Sequence, residues 1–202
     1  VRTSRGDEIH ARYVASAPYP NTVYGKMIEP QSEVPAQARK YANAMPMSVT
    51  NFSVVLLLDK KPEDLNIRSY SVFSSEVPFD TDVFWAEGKK HDGWSYVTTI
   101  CLNYANPTLP EGYTQLSITA LVPSKPFESI KEEEYIDLKR RLANEMIEEC
   151  LRVTKVDFRP RITEIEIYTP MTIAHYVGAW KGNIYGYSHS LSDHAVARLQ
   201  MK

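Results

Sequence analysis

Glycine is scarce in this chain, at 8 of 202 residues. None of the eight makes a Gly-x-Gly-x-x-Gly run, so the sequence offers no backbone-amide cradle for a dinucleotide pyrophosphate. Cysteine is scarcer still. Cys101 and Cys150 fit no zinc or redox spacing, and a reduced, cytoplasmic setting is the simplest reading. No apolar run approaches the roughly 20 residues that span a bilayer. The opening Val-Arg-Thr-Ser-Arg lacks the apolar stretch of a signal peptide. A start at Val1 without Met is read as processing or excision. An excess of either charge is missing too: 23 Lys and Arg stand against 25 Asp and Glu, a net charge of −2. Without a dense basic stripe there is no footprint for nucleic acid. A Gly-x-Ser-x-Gly nucleophile elbow is also absent.

What is present suits a globular core. Hydrophobic residues make up 43% and charged residues 24% of a chain long enough for one or two domains. Val1–Thr3 and Ile9–Ser16 read as two strands around a turn at Arg5-Gly6-Asp7, broken by Pro18 and Pro20. Asn21–Ile28 reads as a short helix, and Val34–Ala44 as another with Pro35 in its first turn and Pro46 limiting its end. The run Val54-Val55-Leu56-Leu57-Leu58 within Val49–Leu58 predicts a central strand covered on both faces. Ser69–Phe73, Ser95–Leu102 and Gln115–Val122 read as strands. The last alternates cleanly, so one of its faces is expected to be less buried. Asn106-Pro107 and Pro110-Glu111-Gly112 mark the loop before it. Val83–Glu87 is ambiguous.

The strongest helix signal runs over Ile130–Val153. Ser129 and Glu132 make a capping-box pattern. Tyr135, Leu138, Leu142, Met146 and Cys150 recur at three- and four-residue steps. Glu132-Glu133-Glu134 complements the positive helix end. Arg161–Tyr168 alternates as a strand with Ile162, Ile165 and Ile167 inward. Pro170 opens a helix to about Val177, and Ser192–Gln200 reads as a final helix. Without regular β-α-β alternation, the fold class is α+β: a largely antiparallel mixed sheet flanked by helices, one of them long and amphipathic near 130–153.

Few groups invite chemistry. His189 and Asp193 share a helix face at a spacing of four, but His194 points away, so no metal site is expected. The carboxylates Glu132–Glu134 and Glu148-Glu149 read as solvated helix faces. Cys150 lies on an apolar helix face and Cys101 in a strand, both as buried thiols. The remaining signal is Thr169-Pro170-Met171-Thr172, then Tyr176, Gly178, Trp180, Gly182 and Tyr185-Gly186. Glycines spaced by four among Trp180, Tyr185 and Tyr187 suggest an irregular backbone that lets something flat approach. The alternative is a glycine-rich loop packed under aromatic residues.

Four pieces, in this order, carry a resemblance. They are Gly6, Ile9, Ala11, Val14-Ala15-Ser16 and Pro18; the strand Ser53–Leu58; the helix start Glu133-Glu134-Tyr135-Ile136-Asp137-Leu138-Lys139; and Thr169-Pro170 through Tyr185-Gly186. Together they resemble the phytoene desaturase-like branch of FAD-dependent oxidoreductases, which holds carotenoid desaturases, carotenoid isomerases and retinol saturases. The likeness covers nearly the whole chain but omits the family's opening dinucleotide loop and its Gly-rich closing segment. It therefore implies the middle of such an enzyme. Residues 1–17 would be strands linking to an absent FAD-binding domain, 18–187 the substrate-binding domain, and 188–202 the start of the return.

The resemblance further implies that the whole enzyme holds FAD and moves a hydride between an apolar, polyene-like substrate and the flavin. FAD is not expected on this chain alone, which would be inactive by itself. Gly182, Tyr185 and Gly186 would lie near the flavin ring, with Tyr176 and Trp180 lining the substrate pocket. No catalytic acid or base is assigned. Val1–Ser16 would expose an edge or apolar patch open to self-association, and peripheral membrane contact stays open. The rival readings are a stand-alone α+β module that binds an apolar ligand without catalysis, and a structural or interaction domain.

Overall fold

The computed structural model describes residues 1–65, 70–74, 98–103 and 108–188. Two compact units divide at Pro46 and Met47. Expectations for Val83–Glu87, for His189, Asp193 and His194, for the helix at Ser192–Gln200 and for the side chain of Cys101 lie outside the described residues.

In the first unit, Val1–Pro46, the expected opening strands reduce to a single bridge between Arg2 and Glu8. The turn between them forms as read: Gly6 takes a φ of 90° and its N–H donates to the Thr3 carbonyl at 3.0 Å. An isolated two-stranded ribbon is marginal at best, and Ile9–Ser16 finds no ladder among the described residues. Val1, Ile9, Tyr13 and Val14 are exposed. A helical turn at Pro20–Thr22 continues into a wider turn at Val23–Met27. Helix α1 spans Ala36–Ala44, with Pro35 as its N-cap one position before the expected first turn.

The second unit is an α+β domain built on a five-stranded sheet. Its strands are β1 (Thr50–Leu58), β2 (Ser71–Ser74), β3 (Thr98–Asn103), β4 (Thr114–Val122) and β5 (Ile162–Tyr168), in the spatial order β2-β3-β4-β1-β5. Every described pairing is antiparallel. Side chains alternate across a strand, so one face of β1 and β4 carries Phe52, Val54, Leu56, Leu58, Leu116, Ile118, Ala120 and Val122, all buried. The other face carries Asn51, Val55, Leu57, Gln115, Ser117, Thr119 and Leu121, all half-buried, and Ser53, buried. β1 is thus central in the sheet, but its second face is only partly covered, where cover on both was expected.

Helix α2 (Glu132–Thr154) closes the buried face. Leu142, Met146 and Cys150 sink into the core as their spacing requires, together with Ala143 and Ile147. Tyr135 and Leu138 pack at the margin. Phe127 stacks on Phe52, ring centroids 6.4 Å apart, and Phe158 fills the end of the same cluster. On β5, Ile162 and Ile167 reach this core, whereas Ile165 is 49% exposed. The helix packs over β1 and β4, which leaves the middle of the edge strand uncovered.

The capping box expected at Ser129 and Glu132 does not form. A separate turn at Lys125–Glu128 ends at Ser129, and α2 starts from Lys131 with no side-chain cap. The chain enters α2 from its own short turn, so the local pattern is overridden by the path. At the other end Lys155 takes the left-handed conformation (φ 57°), and its N–H closes on the Leu151 carbonyl at 2.8 Å.

Candidate functional site

Strand β5 runs along the edge of β1 until Tyr168 faces Ser53. The chain then leaves the sheet, makes a helix and a turn, and returns to the same strand. Asn183 bridges to Thr50, the Ile184 N–H donates to the Val49 carbonyl at 3.3 Å, and the Ser48 N–H donates to the Gly186 carbonyl at 2.9 Å. Residues 169–182 are therefore an excursion from one nearly continuous antiparallel pairing. Both of its ends are anchored on β1.

Its outward leg is set by Thr169, which is extended and completely buried. The Thr169 hydroxyl accepts from the Thr172 N–H, and the Thr172 hydroxyl accepts from the Thr169 N–H, each at 3.2 Å. This reciprocal capping box starts helix α3 (Pro170–Val177). Pro170 at its first position has no N–H to leave unpaired. Gly178 ends it with a φ of 69°.

The return leg turns at Trp180–Gly182, with Lys181 at a φ of 55°. Gly182 has a φ of 69° and lies on the Pro170 backbone: a Cβ there would stand 2.0 Å from the Pro170 carbonyl oxygen. Only glycine meets both demands. The Thr50 hydroxyl donates to the Gly182 carbonyl. The Asn183 amide donates to the Gly186 carbonyl at 2.6 Å and to Met47 Sδ at 3.0 Å. Lys181 pairs with Glu128 at 2.7 Å, holding that carboxyl below the usual carboxylate range with help from the Ser124 hydroxyl.

The excursion buries Thr169, Pro170, Ala179 and Gly182, and large side chains on and just after it are exposed. Tyr176 is 81% exposed, Trp180 53% and Tyr185 60%, with Met171 and Val177 exposed beside them. His175 meets Tyr176 edge to face at 4.8 Å. Of the residues singled out in the sequence, Tyr176, Trp180 and Tyr185 all present aromatic surface outward. Gly186 is half-buried with open space where a Cβ would be. Gly182 is interior, and its part is to close the corner on Pro170. Thr50 and Asn183, which hold this corner, went unmarked in the sequence.

Titratable groups elsewhere in the domain serve structure. Burial pushes the Cys150 thiol up to about 12, aided by the Glu149 charge, so it stays protonated. Burial also opposes ionisation of Glu149. Hydrogen bonds from Arg152 at 2.6 and 2.8 Å and from Ser74 outweigh it and hold the carboxyl below its ordinary value. Among the described residues no cluster of three or more His, Cys, Asp or Glu side chains could hold a metal ion, and no helix is long and apolar enough to cross a membrane. Asn51 Oδ1, on the half-buried sheet face, is buried without a hydrogen-bond partner. No protein-family model matches the chain, and no curated protein matches it.

Proposed function

We propose that this chain is the substrate-domain portion of an FAD-dependent oxidoreductase of the phytoene desaturase-like kind, and that residues 169–186 are its surface toward the flavin and an apolar substrate. The observation that carries this is the exposure of Tyr176, Trp180 and Tyr185 on and just after an excursion whose two ends are fixed on β1. A protein core gains nothing from Tyr176, Trp180 and Tyr185 in these positions. A flat ring and an apolar ligand would gain much from them. The space at Gly186 admits close approach of a ring, which fits the flavin end of FAD. The pyrophosphate end finds no glycine-rich loop in this chain.

Bound FAD would supply hydride acceptance from a substrate C–H, or hydride donation in the saturating direction. The protein's own part is positioning and drying. Tyr176 and Trp180 would wall the substrate, and Tyr185 would pack beside the ring. No side chain here is assigned as a catalytic acid or base.

Two titrations of the purified chain test this. FAD, followed by its fluorescence, is expected to bind negligibly, and retinol in detergent weakly, because the facing wall is missing. Tight, stoichiometric yellow flavin on the 202-residue protein would overturn the proposal. Tight retinol binding by the chain alone would instead favour the stand-alone apolar-ligand module.

A further inference from the structure

Helix α3 has little packing to fix its direction, since Pro170 is its one buried residue. Its first residue, Pro170, lies against Gly182, whose carbonyl the Thr50 hydroxyl holds. Its opening end is gripped from the long helix. The Tyr135 phenol oxygen lies 2.8 Å from Thr169 Oγ1, which lies 3.1 Å from Thr172 Oγ1. Three hydroxyls in a row thus join the first turn of α2 to the first turn of α3. They also join two separate sequence signals, Glu133-Glu134-Tyr135 and Thr169-Pro170, which are 34 residues apart at the bond.

We propose that Tyr135 is a positioning residue whose hydroxyl, acting through Thr169, sets the direction in which α3 carries Tyr176 and Trp180 off the sheet. Its purpose rests on reading that face as the flavin and substrate surface; its existence does not. The Tyr135 ring also packs at the margin of the core, so the hydroxyl must be removed without the ring. Thr169 is buried, and losing the phenol removes one of its hydroxyl's partners and leaves it Thr172 alone.

Amide exchange in Tyr135→Phe, measured by NMR on the 202-residue chain, tests the latch. Exchange over Ile173–Val177 is expected to quicken about fivefold to tenfold, the loss of one hydrogen bond to a buried group, while Leu142–Cys150 keeps its protection. Thr169→Val should reproduce the effect, Thr169→Ser should restore wild-type exchange, and the double variant Tyr135→Phe with Thr169→Val should add little. The 19F resonance of 5-fluorotryptophan at Trp180, assigned with Trp180→Phe, should move in Tyr135→Phe and not in Thr169→Ser. None of these readouts involves flavin, so they can fail while the titrations above succeed, and the reverse. Unchanged exchange over Ile173–Val177, an equal rise over Leu142–Cys150, or fully additive effects in the double variant would overturn the latch.

Discussion

Helices α2 and α3 are made in opposite ways. The long helix has no side-chain cap at its start and buries six of its residues, from Leu142 to Thr154. The short helix has a complete capping box and buries Pro170 alone. Packing holds the first, and a hydrogen-bonded start holds the second. A helix held by packing has its side chains committed to the core. One held by its start is free to turn them outward, and α3 spends that freedom on Met171, Tyr176 and Val177.

The largest effect expected is on α2. Leu142→Ala should cost about 3–4 kcal/mol in urea unfolding, the penalty of a leucine-sized cavity. Tyr176→Ala or Val177→Ala on α3 should stay within about 0.5 kcal/mol, as exposed positions do. A comparable loss at Tyr176 would break the contrast between the two helices.

Next comes the corner. Gly182→Ala must adopt a positive φ and overlap the Pro170 carbonyl, for about 3 kcal/mol in thermal unfolding. Gly186→Ala meets no atom within 4 Å and should cost only the backbone strain of its φ of 75°, about 1 kcal/mol. Equal costs at the two glycines would mean that Pro170 does not press on Gly182.

The third effect is on pH. Glu149 on α2 has a folded pKa below its ordinary value of 4.5, so its contribution is complete above pH 4.5 and is lost as pH falls through the folded value. Acid unfolding of the wild type should therefore steepen below pH 4.5, and Glu149→Gln should flatten that limb. Identical acid limbs in the two proteins would remove Glu149 from the account.

The smallest effect tests the missing cap. Ser129→Ala should change stability by under about 0.3 kcal/mol, because Ser129 caps nothing on α2. A loss of about 1 kcal/mol, usual for a true N-cap, would show that the box forms after all.

These contrasts explain what could be read ahead of the structure. Period-2 alternation in β4 and the stripe of Leu142, Met146 and Cys150 were legible because one-sided burial imposes them directly. The same patterning placed Ile165 inward, yet it is exposed, since sequence does not say how far a helix reaches across a sheet. Ser129 misled because capping depends on the path of the chain, and a local motif cannot see the turn before it. Tyr176, Trp180 and Tyr185 stood out as aromatics among glycines. The reason for Gly182 did not, because its constraint comes from Pro170 folded beneath it. Thr50 was hidden for a similar reason: its partner is 132 residues away.

The central claim is that residues 169–186 face a flavin held by another part of the same polypeptide. Its most direct test is to map the 5′ end of the transcript and translate what precedes the Val1 codon. A strand followed in frame by Gly-x-Gly-x-x-Gly and a helix is the expected result. An in-frame start codon immediately before Val1, with no such segment, would contradict it.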